Sequence, residues 1–399
     1  MIEIASKEAA VSIKVLGLTT EQAGIPASSF VRVSAKDNSL HLSLGGDLSA
    51  TTKLKGKGSV ETKLLFVGRQ EFLSFFQTTS KKPFQIEMSG KKLTVRQGRR
   101  KASLTGTADG VGYPEFDKLP SSGREISIRS DLVASLDAAC SCSSGGPNTA
   151  LHCIYLKDRN LLATDQILAF KEKLRKSVGE KHSFLLPMPV VSLLKAEDLE
   201  KLIIADGRVV LKFPSGLVSH PLPGRSVEFP SSSVESLLQG KTFYLKKEKV
   251  FSLPDSKKHV KKEKHWPEVF SLPVAALEEI IRRFSVYLSA VERLKAFVTV
   301  EVKKGDTQAL FQARTQYAKF NEKVKIPKGA VDDFSVNLPV HLLPSFLKYW
   351  VENNKKGSVQ AYCAKESPCL LVCGDSRLMV PSYAMEENKP NPAEPVEEE

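Results

Sequence analysis

Residues 337–381 open with Asn337-Leu338-Pro339-Val340 and run a stripe through Leu343, Phe346, Leu347 and Trp350. They stop at Asn354-Lys355-Lys356-Gly357, then alternate in short strands that end Leu378-Met379-Val380-Pro381. The stripe has the i, i+3, i+4, i+7 spacing of an amphipathic helix, and the polar run with its glycine is a helix stop. The stretch decides the fold because the chain repeats it. Leu65-Phe66-Val67-Gly68 precedes Phe72, Leu73, Phe75 and Phe76, then strands at Phe84–Met88 and Lys92–Arg96. Leu185-Leu186-Pro187-Met188 precedes Val190, Val191, Leu193 and Leu194, then strands at Leu202–Ala205 and Val209–Phe213. In each copy an apolar pair precedes Pro or Gly, a short helix follows and a hairpin closes the unit. A unit recurring at this scale implies one architecture used three times along the chain.

The 399-residue chain carries 58 Lys and Arg against 45 Asp and Glu, a formal net charge of +13. Its length implies two to three domains, and 41% hydrophobic residues suffice for packed cores. A basic balance of this size points to a polyanionic partner, most often nucleic acid; lysines merely spread over the surface are the plain alternative. No run of about 18 apolar residues occurs, so no transmembrane helix is expected. Met1-Ile2-Glu3-Ile4-Ala5 reads as a strand, because a signal peptide needs a basic start and an apolar block. The six cysteines, at 140, 142, 153, 363, 369 and 373, sit mostly among apolar or small residues. That suggests reduced thiols in a cytoplasmic protein.

Taken in order, Ser6 caps a helix from Lys7 to Val15, and Phe30–Ala35 and Ser39–Leu44 form a hairpin about Lys36-Asp37-Asn38. After the first repeated unit, residues 110–120 read as a boundary loop. The second segment opens near Glu125, with a helix from Ser130-Asp131 striped by Leu132, Leu136 and Ala139. Ala150–Leu156 and Asn160–Asp165 pair as a hairpin, Ile167–Lys173 continues as a strand, and the second unit follows. Residues 241–267 are charge-dense with few apolar anchors and read as a linker. The third segment's helix places Leu277, Ile280, Ile281 and Phe284 on one stripe. After Met385 the Glu, Pro and Asn composition cannot bury a core, so disorder is expected. The expected organisation is an α+β chain with domains at 1–120, 121–240 and 268–385, a charged linker at 241–267 and an acidic tail at 386–399. Every domain comprises two half-units of helix plus strands.

Catalytic and metal chemistry lack their usual signatures. Gly45-Gly46-Asp47 and Gly145-Gly146 are short turns, not phosphate-binding loops. His152, His220 and His341 stand singly, with no Cys, Ser or Asp at motif spacing, and Asp165 is a lone acid in a hairpin turn. Cys140 and Cys142 are too close for the usual zinc half-site. No enzyme activity, cofactor or metal is expected. A non-ring basic nucleic-acid-binding protein is the alternative reading; it should interleave aromatics with basic residues on a sheet face, whereas the aromatics here sit mostly in apolar stripes.

Four further pieces appear in a fixed order: Arg100-Lys101-Ala102-Ser103-Leu104 with Tyr113-Pro114-Glu115-Phe116, then Leu162-Ala163-Thr164-Asp165 with Leu168-Ala169, then Gly224-Arg225 with Glu228-Phe229-Pro230, and last Leu378-Met379-Val380-Pro381. Inside a threefold repeat covering residues 1–385, these resemble the bacterial-type sliding clamp, the beta subunit of replicative DNA polymerase. They are similar to its basic strand and aromatic-Pro turn, its Ala-Thr-Asp-Gly-His-Arg-Leu-Ala, its Gly-Arg-Phe-Pro-Asp-Tyr and its closing Val-Met-Pro-Met-Arg-Leu. The chain departs from the pattern at Gln166-Ile167, one residue short of Gly-His-Arg, and at Ser231-Ser232-Ser233, where the family has Asp-Tyr. It departs again at Ser382-Tyr383-Ala384-Met385 and in its acidic tail. It looks like a divergent clamp, of a kind a phage could encode.

The resemblance implies a DNA clamp fold: a head-to-tail homodimer ring with helices inside and antiparallel sheets outside, threaded by double-stranded DNA. A clamp must slide, so a diffuse positive field serves it better than base contacts. The candidate bore residues are Lys7, Lys14, Arg69, Arg129, Lys195, Arg282, Arg283, Lys348, Lys355 and Lys356, with Glu278 and Glu279 beside the arginine pair. The family's peptide groove, which takes motifs from the replicative DNA polymerase and the clamp loader, would be walled here by Thr164, Leu168, Pro230, Val234, Leu378, Val380, Pro381 and Tyr383. Ring closure between the first domain of one chain and the third of the other would use Leu104, Tyr287 and Leu288.

Overall fold

The structure, a computed structural model, describes residues 1–22, 24–36, 38–61, 63–77, 81–107, 113, 120, 122–143, 149–179, 183–205, 207–224, 226–245, 248–251, 260–286, 296–314, 319–326, 333–353, 357–364 and 367–382. Its helices are α1 (Ser6–Gly17), α2 (Pro26–Ser29), α3 (Arg69–Phe76), α4 (Ser130–Cys140), α5 (Met188–Leu193), α6 (Ser231–Leu237), α7 (Val274–Val286) and α8 (Leu343–Asn353). None is long and apolar enough to cross a membrane among the described residues. The chain forms two compact units, one of Met1–Arg129 with Leu186–Ser226, the other of Ser130–Leu185 with Val227–Glu399.

The first unit holds two antiparallel sheets. The smaller runs Lys57–Gly58, Ile2–Ile4, Phe84–Ser89, Lys92–Gln97 and Arg100–Thr105. The larger runs Arg124–Ile126, Lys201–Ala205, Arg208–Phe213, Gly216–Pro221, Ser49–Lys55, Ser39–Leu44, Phe30–Lys36 and Leu64–Gly68. Asn38 turns the expected hairpin with φ +57°, a left-handed conformation that Asn tolerates. The strand Ser49–Lys55 of the first sequence segment pairs with Gly216–Pro221 of the second, Thr52 against Gly216. A Cβ on Gly216 would come within 2.2 Å of the Thr51 carbonyl oxygen, so this approach requires glycine. α1 lies on Ser49–Lys55 and touches α3. It buries Ala9, Ile13 and Leu16, as its spacing implies. Its N-cap is Ala5, which has no side chain to bond the first turn; Ser6, expected as the cap, is the first helical residue. In α3 the Phe76 ring meets Phe72, Phe75 and Phe84, the Phe76–Phe84 centroids lying 4.7 Å apart, and Phe75 also meets Phe84.

The second unit repeats the device. Seven consecutive strands of its large sheet run Cys153–Lys157, Asn160–Thr164, Ala169–Lys173, Ser376–Val380, Cys369–Cys373, Ser358–Tyr362 and Glu268–Pro273. Ala169 faces Met379, Phe170 faces Leu378 and Lys171 faces Arg377, so strands from the second and third segments share this sheet. A four-stranded sheet orders Lys319–Lys325, Gln308–Arg314, Phe297–Val302 and Phe334–Pro339. α8 packs against α4 and α7. Its Trp350 is fully buried and donates Nε1–H to Ser376 Oγ at 2.8 Å, which satisfies the indole in the core.

The stretch expected as a linker is not one. Lys241–Leu245, Glu248–Val250 and Val260–His265 form a three-stranded antiparallel sheet. Phe243 and Trp266 are buried and anchor it. The lysines between them conceal these anchors from a composition argument, because long cationic side chains tolerate an exposed strand face.

Candidate functional site

Strand alternation sorts the large sheet of the second unit onto two faces. Ser376 accepts from Trp350, and Phe170 meets Phe346 and Tyr349 with centroids 5.2 and 6.3 Å away. Ser376, Leu378 and Val380, with Phe170, therefore face α8. Arg377 and Met379 face the other way, in register with Lys171 and Ala169 and through them with Leu162 and Thr164.

On that second face an apolar cluster forms. Leu162, Ala169, Leu370 and Met379 rise from the sheet, and Phe229, Val234, Leu238 and Trp266 cover them. Phe229 stacks on Tyr155 with centroids 5.3 Å apart. Trp266 donates Nε1–H to Thr242 Oγ1 at 2.8 Å and takes the edge of Phe251. Around this buried centre stands a half-exposed rim of Tyr155, Leu185, Leu237, Phe251, Tyr362, Ala364 and Val372. These partly buried side chains pack against the cluster and leave apolar atoms that another molecule could cover.

Beside the cluster lies a cleft of about 430 Å³, walled by Lys171, Lys173, Glu235, Asp375 and Arg377 among others. Lys171 bridges to Glu235 at 2.7 Å, and Arg377 Nη1 donates to the Leu238 carbonyl at 2.8 Å. The turn after Thr164 is shaped by Asp165, whose Oδ1 accepts from the Ile167 and Leu168 amides at 2.8 and 2.6 Å. Thr164 Oγ1 donates to the Leu168 carbonyl at 2.6 Å. Gln166 takes φ +78°, and the turn leaves Ile167 58% exposed. Asp165 is thus spent on its own backbone, as an Asx turn is. Burial pushes the Cys153 and Cys373 thiols up to about 11 and the Cys142 thiol well above its ordinary value. Nucleophilic thiolate is scarce at these positions. The arrangement can bury apolar side chains of an extended segment and place its polar groups against Lys171, Lys173 and Arg377.

The expected groove residues separate on inspection. Val234 belongs to the cluster, Thr164 is buried on the same sheet face, and Leu168 is buried beneath the turn. Pro230 is exposed at the start of α6, and Pro381 is half-buried just past the last strand. Leu378 and Val380 are fully buried toward α8, so Met379 is this strand's contribution to the apolar face. Tyr383 lies outside the described residues. Tyr155, Phe229, Trp266, Tyr362 and Met379 were missed. Period-two counting along Ser376–Val380 would have found Met379; Trp266 was hidden by the lysines before it.

The candidate bore residues also divide. Arg69 is buried, with its guanidinium bound to the carbonyls of Thr19 and Ser28, so it ties backbone segments and presents no charge outward. Burial lowers its pKa. Lys14 is exposed but bridges to Asp198 at 2.6 Å, and Arg283 bonds Glu279 at 2.5 Å and Glu322 as well. Lys7, Lys195, Arg282 and Lys348 are exposed and Arg129 is half-buried; Lys355 and Lys356 lie outside the described residues. Within the helices, Lys7, Lys14, Arg69, Arg282, Arg283 and Lys348 stand against Glu8, Glu71, Asp131, Asp137, Glu235, Glu278, Glu279 and Glu352. α4 carries two acids and no base. Basic residues thus recur on four of the described helices, but acidic residues on the same helices balance them. Leu104 is half-buried on the edge strand Arg100–Thr105; Tyr287 and Leu288 lie outside the described residues.

No family model matches the chain and no curated protein matches it. Solved structures do. The sliding clamp of Caulobacter crescentus superposes with a TM-score of 0.72 at 13% identity, covering 96% of this chain and 99% of that one. The DNA polymerase III subunit beta of Pseudomonas aeruginosa gives 0.71 at 14% identity, covering 96% and 100%. The Helicobacter pylori beta clamp, solved with a DNA ligase peptide bound, gives 0.69 at 15% identity, covering 96% and 99%. The fold is that of the bacterial sliding clamp, from end to end.

Proposed function

We propose that the chain is a DNA sliding clamp, a non-catalytic processivity factor that encircles duplex DNA and holds a replicative polymerase on it. The observation that carries this reading is likeness over the whole of both chains. A nucleic-acid-binding module borrowed from a clamp would match a part; here 96% of this chain covers 98–100% of its structural neighbours. The threefold repeat supports division into segments at 1–120, 121–240 and 268–385, and two copies joined head to tail would supply six such segments around DNA. Helices near electrical balance suit a bore that must not grip. Phosphate contacts add affinity roughly in proportion to their number, and a shallow field lets the ring travel.

The apolar cluster around Val234 and Met379 is the docking groove of this reading. Its half-exposed Tyr155, Leu237 and Tyr362 suit the anchor side chains of a linear motif carried by the polymerase, the clamp loader or a ligase. A few buried anchors supply most of the affinity in that mode. Cytoplasmic replication complexes are where such a ring works.

Topology tests the reading. The protein is opened in mild denaturant with nicked circular plasmid, closed by dilution, and passed over a sizing column in high salt. A clamp stays with the circle and falls away when the plasmid is cut once. A non-ring basic binder elutes free in high salt whether the plasmid is circular or linear, and that result overturns the proposal.

A further inference from the structure

The ladder between Ser358–Tyr362 and Cys369–Cys373 pairs Gln360 with Val372, Ala361 with Leu371 and Tyr362 with Leu370. One step further, the same register sets Cys363 opposite Cys369. The Cys363 amide donates to the Pro267 carbonyl at 3.2 Å, on the side away from Cys369. The amide and carbonyl of a strand residue point the same way, so the two cysteines form a non-hydrogen-bonded pair. Such a pair brings Cα atoms to about 4.5 Å, inside the about 4.4–6.8 Å that a disulfide needs. Cys369 stands cross-strand from Val380, which puts the pair on the α8 side of the sheet, behind the apolar cluster.

Both thiols are buried and free, and they are hydrogen-bonded to each other. That bond holds Cys363 below the ordinary thiol value, with Ser367 and the Lys249 ammonium helping. The same bond, with burial, raises Cys369 well above it. One member is thus the readier nucleophile and the other keeps its proton. The Cys363 sulfur also lies 3.5 Å from Ser367 Oγ and 3.6 Å from the Pro368 carbonyl oxygen. Ser367 closes beside it, donating its amide to the Ala364 carbonyl at 3.1 Å and accepting the Ala364 amide at 2.7 Å. Cys373, by contrast, stands opposite Ser376 and has its thiol raised by burial.

We propose that Cys363 and Cys369 are a reversible oxidation site, closed to an intrachain disulfide by a small peroxide and reopened by a dithiol. The Cys363 thiolate attacks one peroxide oxygen and the O–O bond breaks. Cys363 becomes a sulfenic acid, and the departing hydroxide takes the proton that Cys363 gave up and leaves as water. The Cys369 sulfur then displaces the sulfenic hydroxyl, which leaves with the Cys369 proton as a second water. The two thiols lose two electrons and the peroxide gains them. Tyr362 and Ala364 flank Cys363 and pack on the apolar cluster, and Leu370 beside Cys369 belongs to it. The bond would therefore fix one border of that face from behind. The chemistry needs neither a ring nor DNA, so its failure leaves the sliding-clamp reading untouched.

The full chain is treated with hydrogen peroxide, unfolded in an alkylating reagent and mapped by mass spectrometry without reduction. The expected product has lost two hydrogens, keeps four of its six thiols and carries Cys363 and Cys369 in one bridged peptide. Dithiothreitol should return all six. Cys369→Ser, or Cys369→Ala, should stall at a Cys363 sulfenic acid that dimedone traps. Cys140, the most exposed of the six, is the internal control. Oxidation confined to Cys140, a bridge to any other cysteine, or Cys363 oxidised no faster than Cys153 overturns the inference. The wild-type map decides this by itself, so a variant that fails to fold does not shelter the proposal.

Discussion

Arg377 donates from Nη1 to the carbonyl of Leu238, 2.8 Å away, and so fastens the last strand of the second unit to the residue that ends α6. A cation at a helix C-terminus also answers its dipole. The contact holds Val234 and Leu238 over Met379. Arg377→Met should cost about 1–3 kcal/mol, the usual range for a charge-assisted hydrogen bond or a carbonyl left unpaired. Docking of an apolar linear motif should weaken with it. Thermal unfolding and titration calorimetry read the two effects; unchanged docking would show that α6 is held by packing alone.

Trp266 tests whether the three-stranded sheet belongs to the groove. Its indole is 4% exposed and bonded to Thr242. Thr242→Val keeps the volume but strands the Nε1–H, with an expected cost of about 1–3 kcal/mol. Trp266→Ala should cost about 3–5 kcal/mol. If deletion of the side chain leaves both stability and docking intact, the sheet is an ornament.

Glu172 supplies a pH dependence. It points at α8 between Ser376 and Tyr349, and burial raises its pKa above the ordinary carboxylate value, with Asp375 adding to the rise. Its Oε2 has no partner among the described residues. A folded pKa above the unfolded one means the native state holds the extra proton. Stability therefore falls as pH rises from the ordinary carboxylate value through the raised one, and the cost is complete above it. Glu172→Gln should raise the melting temperature at neutral pH, because it removes the cost of ionising a buried carboxyl. It should also flatten the acid side of the profile. A wild-type melting temperature that climbs steadily from pH 4 to pH 7 with no gain in the variant would refute the assignment.

DNA retention should separate Lys7 and Lys348 from Arg69. The two lysines are exposed on α1 and α8. Each Lys→Ala change should lower the slope of log affinity against log salt by about 1 if that lysine meets a phosphate. Arg69→Lys should lower the melting temperature, because one ammonium cannot reach both carbonyls, yet leave the slope alone. A steeper effect from Arg69 than from Lys348 would reverse the assignment.

The repeat was legible because helices advertise themselves locally. Phe72, Phe75 and Phe76 in α3 and Leu343, Phe346, Leu347 and Trp350 in α8 are buried as their spacing marks, while Leu73 is half-buried and Arg69 and Tyr349 are buried besides. Strand partnership is not local. Nothing near Ser49–Lys55 says that Gly216 will lie against Thr52, nor does anything near Ala169 announce Met379. Parity was the second blind spot, since a one-residue shift in Leu378-Met379-Val380 exchanges the faces. Charge was the third. Arg69 looks like its neighbours in sequence, but the bare carbonyls of Thr19 and Ser28 draw it inward. In the Lys241–His265 stretch, lysine density outweighed Phe243 and Trp266.

The shared sheets bear on how the chain is made. During synthesis Ala169–Lys173 emerges long before Ser376–Val380, the strand that covers its open side. Ser49–Lys55 likewise waits for Gly216–Pro221. Each nascent half thus leaves the ribosome with a sticky flank that only a much later stretch can cover, and misassembly between neighbouring nascent chains becomes the hazard. Translation speed and chaperone capture over residues 174–375 should therefore govern yield in the cell more than the stability of the finished protein does.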